Sequence, residues 1–135
     1  MLILSTVASL AMVIQEPGAS SIRSWSTPQE LAQRVLVIDK SNRDVTLNII
    51  GTSSEGNPIY GVRVARESNI PIEDRTAILL VAGIDGGHLH GSEVATDIIE
   101  ELLSRDPDAT APLLEHHVLY VIPQVNPDAA SQFFN

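Results

Sequence analysis

The sequence predicts an α/β fold: a mixed, partly parallel sheet with flanking helices. Three observations point there. The runs "TAILLVAG" and "HVLYVIP" are apolar without alternation, as in strands covered on both faces. Between them, "GSEVATDIIEELLSRD" repeats apolar residues at helical spacing. Strand, crossover helix and strand in that order make a parallel pair. Ahead of them, "VTLNIIGTSSEGNPIYGVRVA" reads as two strands around a Gly/Asn/Pro turn, which adds an antiparallel hairpin.

The elements follow in order. "MLILSTVASLAMVIQ" is apolar from Met1 to Ile14 and too short to span a bilayer. Its length suits the apolar region of a secretory signal, and "EPGASS" offers small residues for cleavage, although no Lys or Arg precedes the run. Residues 1–20 are therefore expected to be a signal peptide and residues 21–27 a linker. The mature protein is then expected to be secreted or periplasmic. In "STPQELAQRVLVIDKSN", Thr27 is the N-cap, Pro28 the first helical residue, and Glu30 completes a capping box. Leu31, Val35 and Ile38 form its apolar face. In the hairpin, Val45, Leu47 and Ile49 alternate on one face, and Tyr60, Val62 and Val64 on another. The run from Ala77 to Ala82 is an interior strand. In the helix after it, Val94, Ala95, Ile98, Ile99, Leu102 and Leu103 form a broad apolar stripe, opposite Asp97, Glu100, Glu101 and Arg105. "PDATAPLLEHH" reads as a loop or short turn, and "HVLYVIP" as a second interior strand stopped by Pro123. So few strands and helices leave open edges, and residues 28–135 are expected to be the N-terminal part of a larger domain.

Composition narrows the function. The chain has 135 residues, 44% hydrophobic and 19% charged, as folded proteins do. Its net charge of -9 and lack of a basic patch argue against nucleic acid as a partner. It has no cysteine, so disulfides and thiolate metal sites are excluded.

Chemistry concentrates in "GIDGGHLHGSE", the loop expected at the carboxyl end of a buried strand, where open α/β sheets place their sites. His90 and Glu93 are three residues apart at the start of a helix, so both side chains can reach one point. Imidazole nitrogen and carboxylate oxygen are both zinc ligands. The pattern H-x-x-E is common by chance, and a Glu in a first helical turn is favoured by the helix dipole alone. His88 is an alternative ligand, more simply read as lying behind the site or on the surface. His116 and His117 start the second strand, at the end away from His90, and read as solvent-facing.

Three segments carry a resemblance: "GTSSEGNPIYGVRVA", "AGIDGGHLHGSEVATDIIEELL" and "VIPQVNPDAA". In order and spacing they resemble the N-terminal landmarks of the M14-type zinc carboxypeptidases, over about residues 28 to 130. The resemblance implies that His90 and Glu93 are the first two ligands of a two-His, one-Glu zinc site. It implies a Zn2+ that polarises a peptide carbonyl and activates water. The family's third ligand, general base and substrate-binding Arg residues lie further downstream, so the chain alone is expected to be inactive. Asn126, Pro127 and Asp128 match a structural N-P-D landmark. The chain departs from the pattern at Asn57, often Arg, at Ala129, often Gly, and in the added Asp85 and His88. Two alternatives stand beside this reading: a deacylase of the aspartoacylase or succinylglutamate-desuccinylase type, acting on a small molecule, and a non-catalytic protein on the same fold.

Overall fold

The computed structural model describes residues 25–135. The expected signal peptide, residues 1–20, and the linker up to residue 24 lie outside the described residues.

Helix α1 (Pro28–Ser41) begins as its sequence dictates. The Glu30 amide donates to Thr27 Oγ1 at 3.2 Å, and the Thr27 amide donates to the Glu30 carboxylate at 2.8 Å. Pro28 costs little at the first position, where an N–H has no partner within the helix. Leu31, Val35 and Ile38 are buried, as their spacing predicts.

Strands β1 (Val45–Thr52) and β2 (Pro58–Val64) form the hairpin. Their register corrects one expectation. Val45 pairs with Val64, Leu47 with Val62, and Ile49 with Tyr60. Residues directly opposite share a face, so the two stripes lie on one face, not two. Val45, Val62 and Val64 join the core, with Leu47 and Tyr60 packed against it. Between Ile49 and Gly51 the register shifts. This irregularity accompanies the exposure of Ile49 and Ile50.

Strands β3 (Thr76–Val81) and β4 (His117–Ile122) pair in parallel, and β4 pairs antiparallel with β2. The order β1-β2-β4-β3 is the mixed, partly parallel sheet that the sequence predicts. β4 is interior, and its Val118 and Val121 are fully buried. β3 is not: it forms the edge of the sheet among the described residues, with Leu79 64% exposed. Its apolar composition matches an interior strand, but the described residues bring nothing to its outer side.

The crossover consists of two helices, α2 (His90–Ser104) and α3 (Pro107–His116). The second replaces the expected loop. Asp106 caps it by accepting from the Asp108 amide, and Pro107 stands at its first position. Pro112 lies inside the helix, which is why the segment reads as a turn. Burial of Thr110 and Leu114 holds the helix in place despite it. A short last helix, α4 (Pro127–Gln132), follows β4.

One core cluster forms on one face of the sheet. Val35 and Ile38 of α1, Ala95 and Ile99 of α2, and Leu114 of α3 meet Val45, Val62, Val64 and Val121 there. The stripe on α2 is narrower than expected, because Val94 and Ile98 are exposed. Leu79, Val81 and Tyr120 alternate with core-facing Leu80 and Val121, so they point to the other face, and all three are exposed. No helix of the described residues is long and apolar enough to cross a membrane.

Candidate metal centre

Parallel pairing puts the carboxyl ends of β3 and β4 side by side. Beyond the strands the Ala82 amide donates to Ile122 O at 2.9 Å, Val125 to Ala82 O at 3.1 Å, and Asn126 to Gly83 O at 3.0 Å. The chain then turns into the loop of residues 83–89. Gly83 has φ 63°, and a Cβ there would collide with Ser92 Oγ and Gln124. Gln124 is the tie: its amide donates to Gly83 O at 3.1 Å and accepts from Ser92 Oγ at 2.6 Å. The first turn of α2 is thereby fastened to the exit of β4. Gly86 lies against Ala129, closely enough that any side chain on Gly86 would strike its backbone. The methyl group of Ala129 has room because it faces a glycine.

His90 is the first residue of α2, and Glu93 follows within the first turn. The structure thus places the two on one end of one helix, as their spacing predicts. Neither is free. The ring of Trp25 lies 4.3 Å from that of His90, tilted by 54°. Glu93 Oε1 accepts from the Ser26 amide at 2.6 Å, and Oε2 accepts from Arg34 Nη1 at 2.7 Å. Arg34, from α1, also donates to Asp97 at 2.7 Å and Glu100 at 2.9 Å. These carboxylates lie on one face of α2, at i, i+4 and i+7 from Glu93. Hydrogen bonding to Glu100 is the largest cause that raises the pKa of the Arg34 guanidinium, with Asp97 adding to it.

By chemistry the pair suits zinc. By arrangement it is part of a site: each Glu93 oxygen accepts one hydrogen bond and keeps a further lone pair, and the Trp25 ring lies against that of His90. Among the described residues, no group of three or more His, Cys, Asp or Glu comes together to hold a metal.

His88 turns elsewhere. Its Nδ1 lies 2.8 Å from Asp85 Oδ2, and its side chain is 83% exposed. Asp85 also accepts from the Gly87 amide at 2.9 Å. That bond, and then His88, hold the Asp85 carboxyl below its ordinary range. These contacts brace the loop. His116 ends α3, and His117 pairs with Thr76 at the opposite end of β3 from the loop.

Asp128 joins the third landmark to the first. Its carboxylate accepts from Ser53 Oγ at 2.6 Å, Ser54 Oγ at 2.9 Å, the Glu55 amide at 3.1 Å and Asn57 Nδ2 at 2.9 Å. Asn126 caps α4 by accepting from the Ala129 amide. Asn57 therefore closes the cage around Asp128.

The sequence reading missed Trp25, Ser26, Arg34 and Gln124. One signal was present: carboxylates at positions 93, 97 and 100 form a helical stripe that calls for a cation.

A sequence profile described as zinc carboxypeptidase matches residues 36–131. Zinc carboxypeptidase A 1 of Drosophila melanogaster is 33% identical over 85 residues, which cover 62% of this chain and 20% of that protein. Among solved structures, carboxypeptidase A from Helicoverpa armigera superposes with a TM-score of 0.70 at 16% identity. That match covers 83% of this chain and 27% of the other. The metallo-carboxypeptidase of Pseudomonas aeruginosa, solved with (2-guanidinoethylmercapto)succinic acid, gives 0.65 at 26% identity, covering 76% and 26%. The chain spans about a fifth of the length of the curated relative it matches.

Proposed function

The chain belongs to the zinc carboxypeptidase family, and on that premise we propose that residues 28–135 are the N-terminal part of a zinc-dependent metallocarboxypeptidase. The whole protein removes C-terminal residues from peptides. His90 and Glu93 supply two zinc ligands. The third ligand, the general base and the groups that hold the substrate carboxylate come from sequence outside these 135 residues. The observation that carries the reading is the position of the pair: on the first turn of a crossover helix, at the carboxyl end of a parallel strand, in a chain whose family match spans it. The 135-residue chain, with two ligands and no base, turns over no peptide by itself.

The test uses the longer protein. Zinc content is measured after dialysis, together with release of C-terminal residues from peptides. His90→Ala abolishes zinc retention, whereas His88→Ala leaves it intact. The opposite result moves the ligand to His88. Cleavage of N-acyl amino acids without release of C-terminal residues would replace the peptidase by a deacylase.

A further inference from the structure

We propose that a cleft at the far end of α2 from His90 binds a small doubly charged anion, a phosphate monoester or a dicarboxylate, carried on an apolar body. The cleft has a volume of about 420 Å³, within the range of small-molecule sites. It opens where α1 ends, α2 ends and α3 begins. The 15 residues of α2 set it roughly 20 Å from His90, so it is separate from the candidate metal pair. Arg43, Arg66 and Arg105 line it, and among the described residues that do so Asp44 is the one carboxylate. Three cations against one anion leave two positive charges, in a chain with eight basic residues and seventeen acidic ones. Leu102, Leu103 and Leu114 supply its apolar wall.

The three arginines are held differently. Arg66 is built in. Its carbonyl accepts from Arg75 Nη1 at 2.6 Å, and its amide donates to Leu114 O at 3.0 Å. Its guanidinium donates to Asp44 Oδ2 at 3.1 Å and to Pro107 O at 2.7 Å, which neutralises Asp44. Arg75 is buried, so the backbone beneath Arg66 is fixed before a ligand arrives. Arg43 and Arg105 are available. Among the described residues Arg43 has no hydrogen-bond or ion-pair partner. Arg105 gives Nε and Nη2 to one oxygen of Glu101, at 3.3 and 3.1 Å, with both side chains more than half exposed. Such an exposed pair contributes little, and a ligand can replace it. A guanidinium offers coplanar N–H donors that match the oxygens of phosphate or carboxylate. Arg43 and Arg66 also border a neighbouring cleft, where Glu67 and Glu115 lie, so the anion belongs on the α2 side, against the leucines.

Phenyl phosphate and phenylsuccinate are titrated into the full chain at neutral pH, followed by calorimetry and by the methyl resonances of leucine. At least one of them binds at one site per chain, more tightly than inorganic phosphate, which lacks the apolar body. The tighter of the two identifies the head group. The resonances of Leu102 and Leu103 move, and those of Leu79 on β3 do not. Arg43 and Arg105 are exposed, so their replacement leaves the fold intact. Arg43→Ala and Arg105→Ala each weaken binding about tenfold, the scale of one charged hydrogen bond. Added sodium chloride weakens it as well. Lys40→Ala, which removes an exposed charge outside the cleft, leaves the affinity unchanged. Absence of binding by either organic anion at millimolar concentration overturns the proposal. Equal weakening by Lys40→Ala also overturns it, because net charge alone then attracts the anion. Movement of resonances around His90 in place of Leu102 and Leu103 does the same, because the anion then sits at the other end of α2.

Discussion

Asp128 shows how much one side chain does in this molecule. Four donors from the hairpin turn converge on its carboxylate, Ser53 and Asn57 foremost, and depress its pKa from 3.8 to about 2. A depressed carboxylate stabilises the fold above its unfolded value, and the contribution is lost as pH falls through the folded one. Stability should therefore decline as pH drops from about 3.8 towards 2. Asp128→Asn replaces one acceptor oxygen with an NH2 donor that faces the donors surrounding it. Its melting temperature should lie below that of the wild type at pH 7, with the gap closing near pH 2. A gap that is independent of pH would show that the charge is not what matters. The N-P-D segment was legible in the sequence as a landmark that shapes a turn. Its partners were not, because Ser53, Ser54, Glu55 and Asn57 stand 71 to 75 residues away. The same holds for Glu93: its place at a helix start was readable, whereas Arg34, 59 residues earlier, was not.

The elements divide by how local their determinants are. The start of α1 depends on Thr27, Pro28 and Glu30, all within four positions, and the structure reproduces it to the hydrogen bond. α3 shows the opposite case. Pro107, Asp108, Thr110 and Pro112 are residues of turns, and Pro112 removes a hydrogen-bond donor from the helix interior. Contacts made by Leu114 in the core outweigh that preference. Pro112→Ala should therefore stabilise the chain, by about 1–2 kcal/mol once the added freedom of the unfolded chain is set against the restored helix. Chemical denaturation measures it, and a loss of stability would mean that the ring of Pro112 makes packing contacts worth more than the missing donor. On α2, apolar periodicity predicted the helix but could not say which half of the stripe faces inward. Only the approach of α1 and the sheet selects Ala95 and Ile99 over Val94 and Ile98.

Among the described residues the structure is a four-stranded sheet with its core cluster on one face. Ile78, Leu79, Val81 and Tyr120 remain exposed along β3 and β4, and β3 offers an unpaired edge among the described residues. The isolated chain should therefore be marginally stable and self-associate as its concentration rises, which sedimentation velocity detects. Leu79→Lys together with Val81→Lys should suppress the association. A monomer with a sharp, reversible thermal transition at every concentration would count against this. The sequence by itself determined the class of fold, the parallel pair, the capped first helix and the position of His90 and Glu93 on one helical turn. Each depends on patterns of a few to about twenty residues, set by backbone geometry and alternation. The tertiary structure alone decided that β3 is an edge, that the hairpin's stripes share a face, and that Trp25, Ser26 and Arg34 close on the pair. Those outcomes depend on register and on contacts between residues far apart in the chain, which local pattern does not encode.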